Sequence, residues 1–115
     1  MLERLIKSFV YAINGIILST KERNMRIHLT CACIVIIVGF FTGLTLIEWL
    51  ILILIMAMVI GAEMVNTAIE SVVNLASPDI HPLAKVAKDV AAGAVLVFAV
   101  TSVIIGLLIF LPKWF

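Results

Sequence analysis

The chain has 115 residues, of which 64% are hydrophobic and 13% charged, with a mean hydropathy of +1.30 and a formal net charge of +1. Soluble domains carry about 45–50% apolar and about 25% charged residues, so this composition excludes an ordinary soluble domain, a disordered chain and a nucleic-acid binder. No bulk field of either sign draws a partner, and the length allows one domain, so residues 1–115 read as one small integral membrane protein.

Residues 1–20 place Leu2, Leu5, Ile6, Phe9, Val10, Ile13, Ile16 and Ile17 at i, i+3, i+4, i+7 spacing, with Glu3, Arg4, Lys7, Ser8, Tyr11 and Asn14 mostly opposite. That pattern predicts an amphipathic helix lying in the membrane interface; packing on a partner helix is the other reading. Charges recur through Arg26, so no removable secretory leader is expected.

The segment 19–28, STKERNMRIH, is the most charged in the chain. A first span is expected over 25–44. Its apolar run, 29–44, falls slightly short of the roughly 20 residues a bilayer needs. Extension back through Ile27 and Met25 supplies the missing turn, while Lys21 and Arg26 snorkel. His28 reads as an interfacial or packing residue. Cys31 and Cys33 point to different faces of a helix, so they form neither a mutual disulfide nor a zinc pair. Gly39 and Gly43 form a G-x-x-x-G step that either lets helices approach closely or, at Gly43, ends the helix.

Thr45 begins a tight turn, with Glu48 and Trp49 as interface anchors. A second span is expected over 46–75. It is apolar as far as Ala62, and then the same helix continues with Glu63, Asn66, Thr67, Glu70, Ser71 and Asn74. Ser77-Pro78-Asp79 ends it, and His81-Pro82 opens a third span over 82–111, with Lys85, Lys88 and Asp89 in its first turns. Pro112-Lys113-Trp114-Phe115 is expected to stop that helix at the interface. The fold class is therefore all-α: one surface helix plus three transmembrane helices.

Seven of the eight cations, Arg4, Lys7, Lys21, Arg23, Arg26, Lys85 and Lys88, fall on one side of these spans, and only Lys113 on the other. The positive-inside rule places the N-terminus and the second loop in the cytoplasm. On that side Glu63, Asn66, Thr67, Glu70 and Asn74 line one helix face at i, i+3, i+4, i+7, i+11. Glu63 lies about 17 residues from Leu46, roughly 26 Å along a helix, near the inner edge of the hydrocarbon. Acids at that depth cost a few kcal/mol and persist when they pair with a cation, bind a metal or do chemistry. Salt bridges to Lys88, Lys85 or Arg26 are the structural reading for any one of them. Two carboxylates on one stripe repel unless a cation joins them. Carboxylates with water make a hard-oxygen site suited to Mg²⁺ shared with phosphates, and Lys88 is a point charge for a transferring phosphoryl group. The stripe therefore reads as a phosphoryl-transfer site at headgroup level. The P-loop and the kinase Gly-rich loop are both absent.

The segment Glu63-Met-Val-Asn66-Thr67-Ala68-Ile69-Glu70, followed about 20 residues on by Ala87-Lys88-Asp89-Val-Ala-Ala-Gly93-Ala94 with a His-Pro between, resembles the prokaryotic diacylglycerol kinase family. The similarity covers essentially the full length, and HPLAKVAKD and FLPKW resemble its Gram-positive branch, whose members act as undecaprenol kinases. The Gram-negative branch phosphorylates diacylglycerol. The resemblance implies ATP and Mg²⁺, a bacterial inner-membrane location, a lipid alcohol substrate and a homotrimer with sites shared between subunits. It implies Glu63 as general base beside the lipid hydroxyl, and Glu22 and Glu70 as Mg²⁺ carboxylates. It also places Asn66 against the nucleotide and the base, Lys88 and Asp89 near the phosphates and adenosine, and His81 on the nucleotide side. Two positions depart from the pattern. Asn74 stands where members carry Asp, and Glu3 stands near a basic nucleotide contact of the Gram-negative branch.

Two other function classes stay open on the residues alone. A small proton-coupled exporter uses an intramembrane Glu, but needs four spans and a deeper carboxylate in the first. A non-catalytic membrane subunit would need none of these polar side chains.

Overall fold

The computed structural model describes residues 1–115 as four α-helices, α1 (Leu2–Ser19), α2 (Arg23–Thr42), α3 (Leu46–Ala76) and α4 (Pro82–Trp114), with no β-strand. α2, α3 and α4 are each long and apolar enough to cross a membrane. The chain is thus an all-α, multi-pass membrane protein with one further, amphipathic helix. Leu5, Phe9, Ile13 and Ile16 on α1 are exposed, so the apolar face of that helix is left uncovered by the rest of the chain, as a helix lying in a lipid interface requires.

The turn from α2 to α3 is written in three residues. Gly43 ends α2 at φ +80, a left-handed conformation that side-chain-bearing residues disfavour, and its N–H donates to the Gly39 carbonyl. Thr45 then caps α3: its hydroxyl accepts from Glu48 N–H at 3.2 Å, and the Glu48 carboxylate accepts from Thr45 N–H at 2.9 Å. Both readings of the glycine pair hold, one per residue. Gly39 supplies the close approach, since a Cβ there would lie 2.6 Å from Trp49 Cη2, and the Trp49 ring packs on Phe40 at 5.1 Å.

α4 does not stop at Pro112 as the sequence pattern indicates; it runs through to Trp114. Proline cannot donate to the carbonyl one turn back, which normally ends a helix. Here the last turn is held from outside. Lys113 Nζ reaches Glu48 at 3.0 Å, and Trp114 Nε1 donates to Thr42 Oγ1 at 3.1 Å. These contacts tie the last turn of α4 to the α2–α3 turn. Glu48 and Trp49, read as interface anchors, also make contacts within the chain, to Lys113 and Phe40.

α3 and α4 form the main packed pair, with α2 lying mostly against α3. The buried residues of α3 are Leu52, Ile55, Val59, Glu63 and Asn66. They fall on one seam that begins apolar and ends polar, in a chain where only 11 of 115 residues are buried, among them Ala91, Val95 and Phe110 of α4. In lipid such a seam is held by close van der Waals fit rather than by exclusion of water. The molecule measures 52 × 43 × 20 Å, about two helix diameters thick, so a single chain has little interior beyond this seam.

Candidate functional site

The polar end of the α3 seam is the only place where charge enters the interior. Glu63 is 3% exposed and Asn66 5% exposed. One turn further on, Asn66 Nδ2 donates to Glu70 Oε1 at 3.3 Å. Asn66 Oδ1 is buried without a hydrogen-bond partner, an acceptor left open.

The sequence offered Lys85, Lys88 and Arg26 as structural partners for these acids, and none of them takes that role. Lys85 pairs with Asp89 one turn along α4, both of them exposed. Arg26 donates to the Lys21 carbonyl at 3.2 Å. Lys88 forms no ion pair with either acid. The side chain that approaches Glu63 is His28, with Nε2 3.6 Å from Glu63 Oε2. His28 lines the same pocket as Glu63 and Asn66. Glu70 and Glu22 lie close enough for their charges to act on Glu63, with Glu22 exposed at the start of α2 and Glu70 half-buried. No three acidic, histidine or cysteine side chains converge as a ready-made metal cage.

The polar residues gather in two separate hollows, with Glu22 and Glu70 lining neither. A polar pocket of about 250 Å³ is lined by Asn24, His28, Glu63 and Asn66, with Ala92, Val95, Leu96 and Ala99 of α4 as its apolar wall. A second cleft of about 300 Å³ gathers Asn74, Asp79, His81, Lys85, Lys88 and Asp89 around the α3–α4 turn. Along α3 the distance from Glu63 to Asn74 is 11 residues, about 16 Å. Within one chain, then, Glu63 and Asn66 stand together, Glu70 touches Asn66, and Lys88, Asp89 and His81 occupy the other cleft. His81 also caps α4, its Nδ1 accepting from Leu83 N–H at 3.1 Å, and Pro82 in the first turn needs no donor.

An apolar groove of about 500 Å³ opens from the polar pocket and runs between α2, α3 and α4 as far as Trp114. Ile27, His28 and Ala99 line both hollows. The groove is walled by Cys31, Val35, Leu52, Ile55, Val59 and Val103 among others. A long apolar tail laid in it would end with its polar tip beside Glu63.

His28 and Asn24 are the site residues that sequence reading missed. A signal existed. Counted from the α2–α3 turn, His28 lies about 15 residues before Gly43 and Glu63 about 18 after Thr45, which places them at similar depth on antiparallel helices.

A family profile described as prokaryotic diacylglycerol kinase matches residues 10–110. The chain is 54% identical over 113 residues to undecaprenol kinase of Bacillus subtilis, covering 97% of this chain and 92% of that protein. It is 42% identical over 110 residues to diacylglycerol kinase of Synechocystis sp., covering 94% of this chain but 63% of that longer relative. It is 34% identical over 97 residues to diacylglycerol kinase of Haemophilus influenzae, covering 84% of this chain and 82% of that protein.

Proposed function

The chain belongs to the prokaryotic diacylglycerol kinase family, and on that premise we propose that this membrane lipid kinase transfers the γ-phosphoryl group of ATP to the hydroxyl of undecaprenol, giving undecaprenyl phosphate. The choice of undecaprenol over diacylglycerol is supported by the likeness to the Bacillus subtilis undecaprenol kinase along nearly the whole of both chains. The observation that carries the reading is the placement of buried Glu63 and Asn66 at the head of an apolar groove.

Phosphoryl transfer is mostly positioning and charge neutralisation. In this reading the polyprenol tail lies in the groove and its hydroxyl meets Glu63, which accepts the proton as the new O–P bond forms. Asn66, Glu70, Lys88, Asp89 and His81 face the nucleotide, with Lys88 beside the transferring group. Glu22 and Glu70 are the carboxylates that would hold Mg²⁺. The donor set fits that ion: the Glu22 and Glu70 carboxylates, both within electrostatic reach of Glu63, and an unpartnered buried amide oxygen at Asn66 are hard donors, and Mg²⁺ characteristically takes one or two carboxylates plus substrate phosphates. When bound, the ion neutralises phosphate charge.

In one chain Lys88 lies outside the Glu63 pocket, which supports a site completed between copies in a homotrimer. The cation distribution supports a bacterial inner-membrane orientation with α1 and the polar pocket facing the cytoplasm, where ATP is found. The exporter reading lacks support, since the chain has three candidate spans and a carboxylate near the end of the second.

The test is a parallel assay of the purified chain with ATP, Mg²⁺ and either undecaprenol or diacylglycerol in the same micelles. A higher kcat/KM for undecaprenol is expected. Equal or reversed preference overturns the substrate assignment, and phosphorylation of neither overturns the kinase reading.

A further inference from the structure

Glu63 is a carboxylate with 4% of its side chain exposed, and its one ion-pair neighbour within 4 Å is the His28 imidazole. The nearest acids only repel it. A buried carboxylate that must meet a particular hydroxyl needs something to fix its rotamer, because a misplaced base loses much of its effect. No lysine or arginine does so in this chain. The His28–Glu63 separation of 3.6 Å is just beyond hydrogen-bond length, in the range from which catalytic contacts tighten when substrate arrives.

The position of His28 is as informative as its partner. It lines both the polar pocket and the apolar groove, and so stands at the neck where a lipid tail ends and a hydroxyl begins. Its side chain is 19% exposed, which leaves it accessible from that neck. Asn24, one helical turn earlier, shares the polar pocket but makes no side-chain bond that would hold the acid.

We propose that His28 is a positioning residue for phosphoryl transfer: its Nε2–H donates to one Glu63 oxygen and turns the other towards the lipid hydroxyl at the neck of the groove. This rests on the reading of Glu63 as the base. As the alcohol oxygen bonds to the γ-phosphorus, the bond from that phosphorus to the β-phosphate bridging oxygen breaks. The alcohol proton passes to the free Glu63 oxygen, and the electron pair leaves with ADP. His28 transfers nothing; it keeps the acceptor aimed.

The experiment is a double-mutant cycle on the full chain in micelles with ATP, Mg²⁺ and undecaprenol, using His28→Ala, His28→Gln, Glu63→Gln and the His28→Ala/Glu63→Gln pair. Variants enter the cycle when their helical circular dichroism and elution volume match the parent, and His28→Gln carries the test if His28→Ala does not fold. His28→Ala should lower kcat about 10- to 100-fold with both KM values within about twofold, the size seen when a supporting partner is removed. His28→Gln, which retains an N–H donor, should recover most of that loss. In the Glu63→Gln background His28→Ala should cost less than about twofold more, because both act through one carboxylate. Undiminished kcat in His28→Ala, no recovery in His28→Gln, or an equal loss in both backgrounds overturns the positioning role. Full turnover by Glu63→Gln alone overturns the base reading itself, a result distinct from the others.

Discussion

Asn66 shows how function and folding pull apart at single residues. Its Oδ1 is buried with no partner, and such a group costs about 1–3 kcal/mol. Replacing Asn66 by Leu removes the unpaired acceptor and gives up the 3.3 Å bond to Glu70, while keeping a branched four-atom side chain. The fold should therefore hold or gain up to about 1–2 kcal/mol, while turnover at saturating substrates falls at least about tenfold. Thermal unfolding in detergent, followed by the kinase assay on the same sample, checks both halves. A destabilised but fully active Asn66→Leu protein contradicts them. Asn66 and Glu63 were legible in the sequence because each breaks an otherwise lipid-compatible helix at a face-sharing interval. His28 was not, because a histidine next to a charged segment looks like any interfacial side chain until the antiparallel register of α2 and α3 brings it opposite Glu63.

The helices themselves were written plainly in hydropathy, which sees long apolar runs well and their ends poorly. Pro112 looked like a stop because the sequence cannot display Lys113 on Glu48 or Trp114 on Thr42, contacts that span the chain. The α2–α3 turn is the element whose packing is most exacting. Gly39→Ala would push a Cβ to 2.6 Å from the rigid Trp49 ring, and overpacking of this kind costs about 1–3 kcal/mol. Gly43→Ala would hold a side chain at φ +80, at a cost of about 1–2 kcal/mol. Both variants should unfold at lower temperature. Only the first should regain stability when Trp49→Leu is added, because Gly43 has open space around it and suffers from backbone conformation instead. Recovery of Gly43→Ala by Trp49→Leu would overturn that distinction.

At the scale of the whole molecule, a slab about 20 Å thick with 11 buried residues leaves most of its apolar surface to lipid or to other copies. The separation of Lys88 from the Glu63 pocket is what a site shared between copies would explain. In mild detergent the protein should have a mass of three 12.6 kDa chains, and mixing Glu63→Gln with Lys88→Ala chains should restore part of the turnover each lacks alone. A monomer with full activity, or mixtures no better than their parts, contradicts a shared site. The sequence carried the trimer only through its family resemblance, since in composition apolar surface bound for lipid and apolar surface bound for a neighbour are the same. If buried Glu63 at the head of the groove takes the proton from a lipid alcohol, kcat of the folded Glu63→Gln protein with saturating ATP, Mg²⁺ and undecaprenol falls at least about 100-fold with substrate binding retained; turnover equal to the parent rules that role out.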